Sequence, residues 1–96
     1  MYKIKLEQFE GPLDLLLDLI EARKLSISTV SLAKITDEYT KHIKGLEDLP
    51  LEEVSDFLVV AATLMLIKSR SLLPGLELLE EEERDIQDLE RRLKIL

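Results

Sequence analysis

Eleven consecutive residues, Phe57 to Ile67, contain one polar side chain, Thr63, and this run constrains the fold more than any other stretch. Wound at 3.6 residues per turn, it is apolar on every side of a helix, which is the pattern of an element covered all round. A chain of 96 residues buries only about 60–68% of the surface its unfolded form exposes, so it has one thin core and little with which to cover a second face. A bilayer span takes about 20 apolar residues. Asp56, Lys68 and Arg70 close this run well short of that, and no membrane is expected as a partner.

At 100° per residue, Val54, Phe57, Leu58, Ala61, Leu64, Met65 and Leu72 fall in one arc of about 120°, which suits a side turned to the chain's own core. Opposite them lie Val59, Ala62, Thr63, Leu66, Arg70 and Leu73, flanked by Val60 and Ile67. Something must cover that side, and the small residues Ala61, Ala62 and Thr63 let another helix approach closely. The expected partner-binding residues are therefore Val59, Ala62, Thr63, Leu66, Ile67, Arg70 and Leu73. The competing expectation is internal: the first helix, the N-terminal strand and the acidic tail wrap both sides.

The remainder predicts an all-α domain of three main helices, at about 12–23, 29–44 and 51–73, with a short N-terminal extended segment and a charged C-terminal helix. Tyr2, Ile4 and Leu6 alternate with Lys3, Lys5 and Glu7, a period of two that suggests a strand within residues 1–10. Gly11-Pro12 opens the first helix, where proline is tolerated and Asp14 favours the positive end of the helix dipole. Its core face is expected at Leu13, Leu16, Leu17 and Ile20, with Leu15 and Leu19 as a second stripe. Ser28, Thr29 and Ser31 offer caps for the second helix, which carries Leu32, Ile35, Tyr39 and Ile43 and stops near Gly45. Pro50 precedes the long third helix and Pro74-Gly75 ends it. Residues 11–75 are expected to form the binding domain. Residues 76–96 are expected to be an acidic helical segment leading to a further region, its seam at Leu79, Ile86, Leu89, Leu93 and Leu96.

Chemistry is thinly represented. There is no cysteine and one histidine, His42, so thiolate or multi-histidine metal sites lack ligands. Glu80 to Glu83 have no glycine-punctuated loop and read as a solvated helix face. Asp14, Asp18 and Glu21 have no partner nucleophile, and no P-loop or dinucleotide fingerprint is present. Neither catalysis nor a cofactor is expected. The net charge is −7, with seven basic and seven acidic residues in 1–45 against six and thirteen in 46–96. Such an acidic second half disfavours nucleic acid, which wants a lysine and arginine stripe. Charges at Lys3, Lys5 and Glu7 stand where a signal peptide needs an apolar run, so a cytoplasmic location is expected.

Three stretches, FEGPLDLLLDLIE at Phe9–Glu21, AKITDEYTKHI at Ala33–Ile43 and DFLVVAATLMLIKSRSLLP at Asp56–Pro74, resemble in order and spacing the N-terminal region of segregation and condensation protein A, the prokaryotic kleisin. The resemblance covers residues 2–75. It implies a non-enzymatic subunit of the nucleoid-associated SMC complex, with this helical domain on the coiled-coil neck beside one SMC head. It further implies a middle region that binds ScpB and a C-terminal winged-helix domain on the other head, both beyond these residues. The other readings are a homo-oligomeric helical scaffold and a helix-turn-helix DNA-binding module, which the acidic balance disfavours.

Overall fold

In the computed structural model, residues 9–45 and 49–96 are described. They form four helices and no strand: α1, Pro12–Ala22; α2, Thr29–Ile43; α3, Leu51–Leu72; and α4, Glu80–Lys94. The expected strand at Tyr2 to Leu6 lies outside the described residues.

Each helix begins and ends for a local reason. Pro12 sits at the first position of α1, where its missing N–H costs nothing. At the other end Lys24 N–H donates to Glu21 O at 3.0 Å and Leu25 N–H donates to Ile20 O at 3.0 Å. This is a Schellman closure, and it holds Lys24 at φ 55°, the left-handed conformation that glycine ordinarily supplies. Ser28 caps α2 as its composition predicts, its hydroxyl accepting from Ser31 N–H at 3.1 Å. Pro50 starts α3. At the start of α4 the Glu82 carboxylate accepts from Leu79 N–H at 2.8 Å, and four glutamates occupy the first turn where the helix dipole favours them.

The core is a single cluster to which all four helices contribute. From α1 come Leu15, Leu16, Leu19 and Ile20; from α2 Leu32, Ile35 and Tyr39; from α3 Phe57, Val60, Ala61, Leu64 and Ile67; from α4 Ile86, Leu89 and Leu93. On α1 this corrects the expected face. The stripe at Leu15 and Leu19 is buried beside Leu16 and Ile20, while Leu13 and Leu17 are half-buried. The boundary expected between residues 75 and 76 is not a packing boundary either, because α4 lays Ile86, Leu89 and Leu93 into the same core; Leu79 and Leu96, the ends of its expected seam, are exposed.

Tyr39 is wholly buried and donates from its hydroxyl to the Phe57 carbonyl of α3 at 2.7 Å. Burial raises the phenol's pKa above its ordinary value. Thr36, also between α2 and α3, donates to Leu32 O at 2.8 Å, with Leu64 O 3.4 Å away. On the outside of the same seam Lys68 donates to Asp37 at 2.6 Å, and this contact holds the exposed Asp37 carboxyl below the usual carboxylate range. Polar groups at the α2–α3 contact thus fix how the two helices are rotated against each other.

Candidate partner-binding face of α3

Helix α3 has 22 residues and so runs for about 33 Å. Its buried positions, Phe57, Val60, Ala61, Thr63, Leu64 and Ile67, occupy an arc of about 160° when projected down the axis. One edge of this arc faces α2, where Lys68 meets Asp37. The other faces α4, where Arg70 Nη1 donates to Glu83 Oε1 at 2.7 Å.

The buried arc is rotated by about 80° from the core side that spacing alone suggests. Leu58, Met65 and Leu72, expected in the core, are 47%, 58% and 68% exposed. Thr63 and Ile67, expected to await a partner, are only 9% and 3% exposed. The physical reason is α4: its apolar side covers the flank of α3 that carries Arg70, and the acidic tail therefore wraps one part of the second side internally. Thr63 Oγ1 keeps a long contact of 3.5 Å to Val59 O within its own helix. Arg70 is drawn into an ion pair of the domain itself.

Of the expected partner-binding residues, Val59, Ala62 and Leu73 are exposed and Leu66 is half-buried. Leu51, Ser55, Leu58, Met65 and Leu72 join them on the same side and are exposed as well. From Leu51 to Leu73 this side carries no charge in its centre: Glu52 and Arg70 lie on one margin and Lys68 on the other. Spacing alone did not reveal Leu51, Leu58, Met65 and Leu72 as surface residues, since a helix apolar all round gives no sign of which side is covered. The recurrence of a large apolar residue at every seventh position from Leu51 is nonetheless visible in the sequence.

Chemical alternatives find little support. An open cleft of about 560 Å³ between the start of α1, α3 and the end of α4 is lined by Glu10, Asp14, Asp56, Arg92 and apolar side chains. Its lining holds three carboxylates and one guanidinium but no histidine and no nucleophile. His42 lies near the end of α2, its Nδ1 buried with no hydrogen-bond partner among the described residues. No group of three or more potential metal ligands is found among the described residues, and none of the described helices is long and apolar enough to cross a membrane.

The family model described as segregation and condensation protein ScpA matches residues 19–96. The segregation and condensation protein A of Caldanaerobacter subterraneus subsp. tengcongensis is 46% identical over 88 residues, 92% of this chain and 36% of that protein. Its namesake in Halothermothrix orenii is 42% identical over 94 residues, 98% of this chain and 39% of the relative. That of Bacillus licheniformis is 44% identical over 99 aligned positions, 96% of this chain and 39% of the relative. The chain thus spans between a third and two-fifths of the length of these relatives. No solved structure matches it.

Proposed function

The chain belongs to the segregation and condensation protein A family, and on that premise we propose that it is the part of a kleisin that grips the head-proximal coiled coil of an SMC protein through the exposed side of α3. Membership supports a role in chromosome segregation and condensation. The finer assignment rests on one observation: an uncharged apolar surface about 33 Å long on a helix whose other flanks are already covered by α2 and α4.

Energetics favour a partner that brings apolar surface of its own. Full burial of a leucine, valine or methionine is worth about 1.5–3 kcal/mol, and the side chains of this face are already partly covered. Leu58, Val59, Met65, Leu66, Leu72 and Leu73 together therefore contribute on the order of 6 kcal/mol. Association costs roughly 4–15 kcal/mol. A stable complex needs a partner that brings comparable apolar surface, as a coiled-coil neck would. Ala62 and Ser69 leave room for a ridge of the incoming helix.

In this reading the chain works without catalysis or cofactor, in the cytoplasm on the nucleoid, contacting neither DNA nor membrane itself. ScpB is bound by the middle region of the full protein, beyond Leu96. The test is a titration against an SMC head carrying a short neck, with Leu66→Glu and Leu58→Glu alongside. Saturable binding that weakens about 30-fold or more in both variants, the loss of a central contact worth about 2 kcal/mol, is expected. Unchanged affinity in correctly folded variants, or no binding by the unaltered chain, overturns the assignment.

A further inference from the structure

The exposed side of α3 has an order that the binding of an SMC neck does not require. Leu51, Ser55, Leu58, Ala62, Met65, Ser69 and Leu72 follow one another in steps of 4, 3, 4, 3, 4 and 3, the spacing of a coiled-coil seam. Large side chains hold one set of positions and small ones the other, in strict alternation. Six of the seven are exposed and Ser69 is half-buried.

From this alternation we infer that the same face is a self-complementary seam, on which a second copy of the chain packs its α3 antiparallel. In a parallel pair, equivalent positions meet: Leu58 would face Leu58 and Ala62 would face Ala62, leaving gaps at every Ser and Ala layer. Antiparallel pairing instead sets the two kinds of position against each other. With the two-fold axis between Thr63 and Leu64, Ala62 lies opposite Met65 of the second copy, Leu58 opposite Ser69 and Ser55 opposite Leu72. A residue pair and its reverse are satisfied at once, as an isologous contact requires. The margin beside the seam is apolar too, and Val59 comes across from Leu66.

The size of the contact sets its strength. A helix about 33 Å long and 10–12 Å wide covers roughly 350 Å² per copy, less than half of the about 800 Å² per partner in a standard stable interface. The pair is accordingly weak and exchangeable, and it shields the apolar seam until a larger partner displaces it. This inference shares its surface with the SMC contact but does not depend on that partner's identity.

The chain has no cysteine, so single cysteines report the register directly. Sedimentation of the unaltered chain between about 10 µM and 1 mM, a range suited to a contact of this size, is expected to move reversibly from monomer to dimer, and Leu58→Glu is expected to stay monomeric with its helicity unchanged. Under mild oxidation Ala62→Cys mixed with Met65→Cys is expected to give the mixed disulfide, whereas Leu51→Cys does not link to itself. A monomer throughout that range overturns the inference, and so does self-linking of Leu51→Cys, which reports a parallel pair. A chain that stays monomeric yet binds the SMC neck removes this inference alone; a dimer that never binds the neck removes the SMC assignment alone.

Discussion

The hydroxyl of Tyr39 reaches across from α2 to donate to the Phe57 carbonyl at 2.7 Å, tying the second helix to the first residue of the apolar run. Tyr39 has no exposed surface, so the phenol must stay neutral while the chain is folded, and its pKa is raised for that reason. In the unfolded chain it titrates near its ordinary value of about 10. A raised folded pKa favours the protonated form, so its contribution is complete below about pH 10 and is lost as pH rises above that value, where only the unfolded chain releases the proton. Tyr39→Phe is expected to cost about 0.5–1.5 kcal/mol at neutral pH and to flatten the fall in stability above pH 10. Urea melts at pH 7 and pH 10.5 check both, and an equally steep alkaline fall in the variant would show that another group is responsible.

Val59 and Ile67 are eight positions apart on the same helix but lie on different sides of the domain boundary with solvent. Ile67→Ala opens a hole between α3 and its neighbours and is expected to cost about 2–5 kcal/mol. Val59→Ala removes a side chain that is 67% exposed and is expected to change stability by no more than about 0.5 kcal/mol. Thermal denaturation of the two variants ranks them; comparable losses would mean that α3 does not turn Ile67 inward and Val59 outward.

Helix α4 is part of the fold and not an appendage. Ile86, Leu89 and Leu93 are all but fully buried, and their burial contributes about 5–9 kcal/mol as an upper estimate. Small domains have about 5–15 kcal/mol in all. A chain ending at Gly75 is therefore expected to lose cooperative unfolding and to associate through the uncovered flank of α3 around Val60, Thr63 and Ile67. Circular dichroism melts and light scattering of the shortened chain decide it, a cooperative monomer being the contrary result.

Lys24 occupies the left-handed position of the Schellman closure with φ 55°, where a side chain costs about 1–2 kcal/mol relative to right-handed backbone. Glycine adopts this conformation freely but loses more entropy on folding, by about 0.5–1 kcal/mol. The balance predicts that Lys24→Gly stabilises the domain by up to about 1.5 kcal/mol. A lower melting temperature in the variant would instead mean that the lysine stem contributes packing at the α1–α2 turn.

Much of this architecture was legible before folding was considered. Pro12, Ser28 and Pro50 mark the starts of α1, α2 and α3 and Pro74-Gly75 the end of α3 to within a residue or two, and the resemblance carried by Phe9–Glu21, Ala33–Ile43 and Asp56–Pro74 agrees with the family shown for residues 19–96. The candidate face was legible only as a quantity: α3 has more apolar surface than its own domain can cover. Spacing places Val59, Ala62, Leu66 and Leu73 on the side that the fold leaves exposed or half-buried, whereas Thr63 and Ile67, expected on that side, are buried and Leu58, Met65 and Leu72, expected in the core, are exposed.

Periodicity locates a helix and counts its apolar residues, but it gives a direction only where polar residues mark the opposite side. Between Phe57 and Ile67 the sequence holds one polar residue, Thr63, and that residue is buried, so the sequence by itself determined that α3 forms and that it is apolar all round. Which side faces inward was decided by tertiary contacts: Tyr39 on Phe57, Lys68 on Asp37, and above all α4 seating Ile86, Leu89 and Leu93 beside the flank that ends in the Arg70–Glu83 pair. These contacts join residues distant in sequence, and their combined free energy sets the rotation of a helix that has almost no preference of its own.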